Sequence, residues 1–300
     1  MTRARTARSA AALGLLLLLG ACAAQDAGGS PPDAVTPGLP GAPDELVLQV
    51  SYTGGFVTPE MLAARLPLVS VYADGRVITE GPVPAIYPGP AWPNVQVQEI
   101  DRQAVHTLVE RARAAGVTET GDLGTPPLAD VPSTRFTLAT ATDTAVREVY
   151  GLTEVGGLDP GGSGLSDEQI AARAELRGFL DALTDLPGTL GPDAVSPVRS
   201  YRPEAVAAVV RPWTATGDGN EPDLVHPEMP WPGPDLPGEP VGPLPDLSCV
   251  TATGEQAQAV ASAAQAATSA TPWVTDDGAR WAVTFRPLLP HESGCDDLIG

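Results

Sequence analysis

The sequence predicts an α+β fold in which an antiparallel-rich sheet, built from hairpins, carries two or three helices packed on it. Three observations lead there. Short segments alternate apolar with polar residues, turns containing Asp-Gly pairs or Gly-rich breaks separate them, and three stretches of helical period begin at residues able to cap a helix. No alternating run of β and α units is visible. That argues against a doubly wound nucleotide fold and against the paired α/β lobes of solute-binding proteins.

Within residues 45–52, Leu46, Leu48, Val50 and Tyr52 recur at every second position, the period of a half-buried strand. Residues 68–72 and 76–79 flank Ala73-Asp74-Gly75 as a hairpin, with Asp-Gly suited to a two-residue turn that needs positive φ. Residues 95–100 alternate again and lead into Asp101, whose carboxylate is placed to cap a helix. That helix presents Val105, Leu108, Val109 and Ala112 on one face and stops at Gly116. Residues 134–141 and 145–150 form a second hairpin. Beyond the flexible Gly161-Gly162-Ser163-Gly164, Ser166 and Gln169 stand at capping-box spacing. The helix behind them, 167–183, offers Ile170, Ala174, Phe179, Leu180 and Leu183 to a core. Residues 206–210 read as one more strand. Thr253 and Gln256, again at box spacing, open an Ala-rich helix over 254–267, and 272–275 with 280–285 close a third hairpin around Asp277-Gly278.

Composition narrows the chemistry. All 17 basic residues are Arg. A phosphate-binding loop ending in Lys, a Lys Schiff base to pyridoxal phosphate and a Ser-x-x-Lys centre are therefore excluded. The formal charge of -20 makes nucleic acid an unsuitable partner, because affinity for it starts with cationic neutralisation of phosphates.

The N-terminus carries Arg3, Arg5 and Arg8, then an apolar stretch over 10–19, then Leu19-Gly20-Ala21-Cys22. A basic start followed by an apolar run too short for a stable span of roughly 20 residues is the form of a secretory signal. The tetrapeptide resembles the lipobox of bacterial lipoproteins. The resemblance covers residues 1–22 and implies cleavage after Ala21, acylation of Cys22, and attachment to a membrane outside the cytoplasm. More than one acyl chain makes such an anchor durable. Loss of the three Arg of the leader would take the formal charge from -20 to -23. With Cys22 consumed by lipid, Cys249 and Cys295 remain as an even pair, which an oxidising compartment favours joining.

The expected organisation is a signal peptide over 1–21, a lipidated, unfolded tether over 22–44, an α+β region over 45–213, a Pro-rich acidic loop over 214–248, and a helix-hairpin unit over 249–300 closed by the disulfide. The loop has little apolar surface with which to offset its ordering entropy.

Constellations for chemistry are sparse. Gly161-x-Ser163 is followed by Leu165 where a nucleophile elbow needs Gly. His106 reads as a flanking surface residue. His226 precedes Pro227-Glu228, and His291-Glu292 precede Cys295, Asp296 and Asp297, without the His pair four apart of helical zinc sites. Asp218, Asn220 and Asp223 faintly resemble a calcium loop, but Pro222 breaks the spacing. Trp273 and Trp281 read as cross-strand packing, whereas Trp92 and Trp231 sit among Pro residues that either fold back on a core or display aromatics as a contact surface. The sequence calls for no cofactor and no metal. It leaves a non-enzymatic binding or accessory protein that meets an envelope protein or glycan, with an extracytoplasmic hydrolase at His226 or His291 as the alternative.

Overall fold

In a computed structural model the described residues are 38–155, 162–214, 226–242 and 246–298. The signal peptide, Cys22 and the possible calcium loop at Asp218, Asn220 and Asp223 lie outside them. The fold is α+β and rich in antiparallel pairing. Its strands form two sheets, with helices on the outer face of each.

The first sheet contains β1 (Leu46–Gly54), β2 (Val69–Tyr72), β3 (Arg76–Glu80), β4 (Val95–Glu99), β5 (Pro132–Ala139), β6 (Thr144–Tyr150) and β7 (Arg199–Ser200). They lie in the order β6-β5-β1-β2-β3-β4-β7. The first pairing contains a bulge: Leu46 opposes Tyr72 while Leu48 opposes Val71, so Val47 is the extra residue. The bulge breaks the expected alternation. Leu46 packs on one face with Tyr72 and Ile78, while Val47, Leu48 and Val50 are buried on the other.

That other face is covered by two helices, α2 (Arg102–Ala114) and α3 (Asp167–Thr184). Asp101 caps α2 by accepting from the Ala104 amide, and Ser166 and Gln169 form the reciprocal capping box of α3. The buried face of α2 is as expected, with Ala104 added. The face of α3 is not: Ile170 and Ala174 are exposed, and Arg173 and Leu176 take the interior positions with Phe179, Leu180 and Leu183. The helix tolerates a buried cation there because Arg173 donates to the carbonyls of Leu123 in a loop and of Tyr150 and Gly151 at the end of β6.

The second sheet gathers β8 (Ala205–Pro212), β9 (Met229–Pro230), β10 (Glu239–Pro240), β11 (Ser248–Thr253), β12 (Trp273–Val274) and β13 (Arg280–Pro287). Its order is β10-β11-β8-β13-β12-β9, and only the β12–β9 pairing is parallel. β8 belongs at its centre, so the boundary drawn at 213 from the sequence runs through this sheet. Val206, Ala208 and Val210 face helix α5 (Gly254–Gln265), while Ala207 and Val209 face Cys249, Leu288 and Ala63 of the short helix α1 (Pro59–Ala63). Another short helix, α4 (Leu186–Leu190), follows α3. Thr253 precedes α5 without making a side-chain cap bond, contrary to the spacing argument.

Three further expectations change. Both Asp-Gly hairpins use three-residue loops, with only Gly75 and Gly278 at positive φ and each amide closing onto the carbonyl of Tyr72 or Thr275. The tether does not extend to residue 44: Leu39 enters the first core and the Gly38 carbonyl accepts from the Ala141 amide. Within the Pro-rich stretch, residues 226–242 are docked, with β9 and β10 flanking the second sheet. Paired backbone groups and Trp231 hold a segment whose composition alone does not suggest order.

Candidate functional site

The polar centre of the molecule lies where the C-terminal segment after β13 passes between the two sheets. Leu288 and Leu289 are buried, Leu289 in a cluster with Leu66 and with Ile78 and Val95 of the first sheet. Between those apolar contacts sits an ion pair withdrawn from solvent. Arg286 Nη2 donates to Glu292 Oε1 at 2.7 Å, and the side chains are only 2% and 8% exposed. The second carboxylate oxygen accepts from the Leu289 amide at 2.7 Å, and Arg286 Nη1 donates to the Pro287 carbonyl. Arg286 Nε has no acceptor among the described residues. Burial draws the guanidinium below its ordinary pKa, and Glu292 opposes that shift.

Two tyrosines stitch this segment to its surroundings. The Tyr72 hydroxyl and His291 Nδ1 share a hydrogen bond of 2.9 Å, and the Tyr201 hydroxyl donates to the Leu288 carbonyl at 2.9 Å. Burial raises both phenols well above the usual tyrosine range, so both remain protonated donors at any physiological pH. His291 is an exposed residue whose inner edge is packed. Desolvation lowers its pKa, Glu292 opposes that effect, and Arg286 adds to it. Its neutral form is favoured.

The disulfide fixes the far end of the segment. Cys295 is bonded to Cys249 with the Cα atoms 6.0 Å apart, and its amide donates to Thr251 Oγ1. Asp297 Oδ2 accepts from the Ser293 amide and hydroxyl and from the Gly294 amide, which holds its carboxyl below the usual range.

Two open clefts flank this segment. One, of about 350 Å³, has the polar face of β1 as its floor, with Gln49, Ser51 and Thr53, and Arg65, Arg135 and Arg286 around it. The other, of about 450 Å³, lies by Arg76, Tyr201 and the start of α5.

The histidines named from sequence do not sit in catalytic arrangements among the described contacts. His226 lines a smaller recess of about 140 Å³ with Tyr87, Arg211 and Trp213, and its Nε2 has no hydrogen-bond partner among the described residues. Glu228, two residues after it, pairs with Arg280 at 2.7 Å. Glu292 is likewise committed to Arg286 and turned from His291. Cys295 is consumed by its disulfide. Ser163 is buried before α3 and lies within reach of the Leu165 amide. Among the described residues no group of three or more His, Cys, Asp or Glu is placed to hold a metal.

Trp92 and Trp231 serve packing rather than display. Trp231 stacks on Phe285 and meets Trp273 edge-on at 5.7 Å, and Trp92 approaches Phe285 at 6.2 Å. Rings in these arrangements contribute beyond their buried area. Trp273 and Trp281 oppose each other across β12 and β13, as their alternation suggests.

Six of the exposed large apolar residues lie on two connections. β1 and β3 run in the same direction, so the connections after Gly54 and Glu80 leave one end of the first sheet. These carry Phe56, 87% exposed, Met61 and Leu62 on one, and Val83, Ile86 and Tyr87, the last 74% exposed, on the other. Gly38 lies at the opposite end, beside the β5–β6 turn. The second loop is pinned: the Gly81 amide donates to Asn94, the Asn94 side chain to the Pro82 carbonyl, and the Ser269 amide to Gly89. Sequence reading singled out the Pro spacing here but chose Trp92 over Tyr87.

Comparison with known family models, with characterised proteins and with solved structures finds no match to this chain.

Proposed function

We propose that this chain is an exported lipoprotein, held on a membrane outside the cytoplasm through acylated Cys22, whose folded body is a non-enzymatic binding or accessory component of the cell envelope. The location is supported by the basic start, short apolar run and Leu19-Gly20-Ala21-Cys22 order. No helix among the described residues is long and apolar enough to cross a membrane. The binding role is carried by one observation, the pinned apolar loop at Val83, Ile86 and Tyr87. Large side chains held outward on a fixed backbone lose little freedom when they enter a partner's pocket, so their contact area converts to affinity with less ordering cost. They stand at the end of the first sheet away from Gly38, facing off from the tether's attachment, where an envelope protein or glycan would meet them. An extracytoplasmic hydrolase at His226 or His291 gains no carboxylate hydrogen-bonded to either ring among the described residues and is the weaker reading.

Two measurements test this. Cys22→Ser should abolish lipid labelling and release the protein from the membrane fraction; a variant still labelled and still membrane-bound overturns the anchor. A photo-crosslinking residue in place of Tyr87 should give a discrete adduct in intact cells that the same residue in place of Thr142, exposed at the opposite end, does not. Equal adducts from both positions, or none from position 87, remove the apolar loop from the binding role.

A further inference from the structure

We infer that the 350 Å³ cleft on the polar face of β1 binds a small molecule through a carboxylate or phosphate oxyanion, with Arg65 and Arg135 as its principal ligands. The inference does not depend on the membrane anchor or on the apolar loop. It rests on the balance of donors and acceptors around the cleft.

Every carboxylate there is already engaged. Glu148 accepts from Thr53 and Arg135, Glu292 from Arg286 and the Leu289 amide, and Asp297 from Ser293 and Gly294. The guanidinium groups are not exhausted in return. Arg65 donates one bond, from Nη1 to the Gly54 carbonyl at 2.9 Å, and makes no ion pair among the described residues. Arg135 meets Glu148 through Nε and Nη2, leaving Nη1 available. Arg286, fully withdrawn from solvent at the back of the cleft, retains an Nε–H without an acceptor. The Ser51 hydroxyl on the floor makes no hydrogen bond among the described residues either. Arg65 and Arg135 thus keep N–H groups directed to the cleft that no carboxylate among the described residues takes up.

Charge placement points the same way. The chain has 17 Arg, no Lys and a formal charge of -20, so a surface chosen without regard to function is acidic. Three guanidinium groups, Arg65, Arg135 and Arg286, meet three carboxylates, Glu148, Glu292 and Asp297, at this cleft, so it is formally neutral on an otherwise acidic chain. A planar fork of N–H donors matches carboxylate and phosphate oxygens in pairs, and bonds of that kind are about twice as strong as neutral ones. The volume suits a metabolite-sized ligand rather than a polymer.

The test uses the purified full-length chain in detergent micelles, titrated separately with acetate, succinate and inorganic phosphate. Arginine Nε–Hε NMR signals, assigned through the Arg65→Gln and Arg135→Gln variants, report the site directly. Saturable shifts of the Arg65 or Arg135 signals are expected with at least one of the three anions, and which anion saturates first separates the carboxylate from the phosphate source. Each Gln variant should weaken that binding by about tenfold or more, with Arg65→Lys retaining part of it, while thermal unfolding stays near that of the parent. The inference is overturned if none of the anions saturates, or if binding persists unchanged in both Gln variants. A variant that fails to fold is replaced by Ser51→Ala, which removes a floor donor without touching an ion pair and should weaken the same titration.

Discussion

At the scale of single residues, Glu292 is the side chain on which the junction depends. Removing one member of a buried ion pair leaves the other as an uncompensated charge, which typically costs about 3–5 kcal/mol. Glu292→Ala also deprives the Leu289 amide of its acceptor. The variant should lose about that much in urea unfolding, whereas replacing both partners with apolar residues, Arg286→Met with Glu292→Leu, should cost much less because no buried charge is stranded. A single-variant loss under about 1 kcal/mol would mean that solvent reaches the pair. The sequence did not expose this pair. In the sequence, His291, Cys295 and Asp297 suggest a metal cluster, and the expected last strand ends at residue 285, one short of Arg286. Pro287-Leu288-Leu289 after it was the available signal, since a charged residue leading into a buried apolar stretch has few routes to water. Arg173 in α3 was missed for the same reason: apolar periodicity assigns the interior to Ala174 and has no means of seeing three carbonyls waiting for a guanidinium.

At the scale of elements, the two Asp-Gly hairpins form a matched pair with different surroundings. Gly75 and Gly278 both sit at positive φ, so Ala at either position costs about 1–2 kcal/mol in backbone strain. A Cβ on Gly278 meets nothing, whereas one on Gly75 would collide with the Ile100 carbonyl oxygen, where β4 gives way to α2. Gly278→Ala should therefore show the strain cost alone, and Gly75→Ala clearly more, in chemical denaturation of the two variants side by side. Equal losses would show that the loop at 73–75 can move away from Ile100. Local elements like these were largely legible because alternation, caps and turn residues are encoded within a few positions. The Asp101 cap and the Ser166–Gln169 box fell where spacing placed them. Pairings between distant strands were not. β8 contacts β11 and β13 across a long intervening chain, and five consecutive buried residues in it carry no alternation to show which sheet owns them. The Pro-rich stretch misled for a related reason, since β9 and β10 are held by partners remote in sequence.

At the scale of the whole molecule, the disulfide joins the second sheet to the segment on which the first sheet rests. Cys249 lies in β11, and Cys295 follows the residues that carry the Arg286–Glu292 pair and the Tyr72–His291 bond. The sequence supplied the pairing through compartment and count, but not this role, because the Tyr72–His291 contact spans 219 positions. With a separation of 46 residues, closing this loop in the unfolded chain contributes roughly 4 kcal/mol in the chain-entropy model. Replacing both cysteines with Ser should remove most of that from the unfolding free energy. The loss should also be uneven in space. Without the clasp, residues 288–298 keep the Leu288 and Leu289 packing, the polar bonds around Glu292, and the single bonds to Tyr72, Tyr201 and Thr251, without the sheet pairing of β8, so their amides should exchange with solvent far faster than those of β8 or α2. Amide exchange of the oxidised protein beside the double-Ser variant distinguishes the two effects. Faster exchange confined to this segment and to its neighbours Tyr72 and Tyr201 means that the bond maintains the junction. Uniform acceleration across both sheets means that it acts only through the entropy of the unfolded chain, and unchanged exchange with unchanged stability would remove it from any structural role.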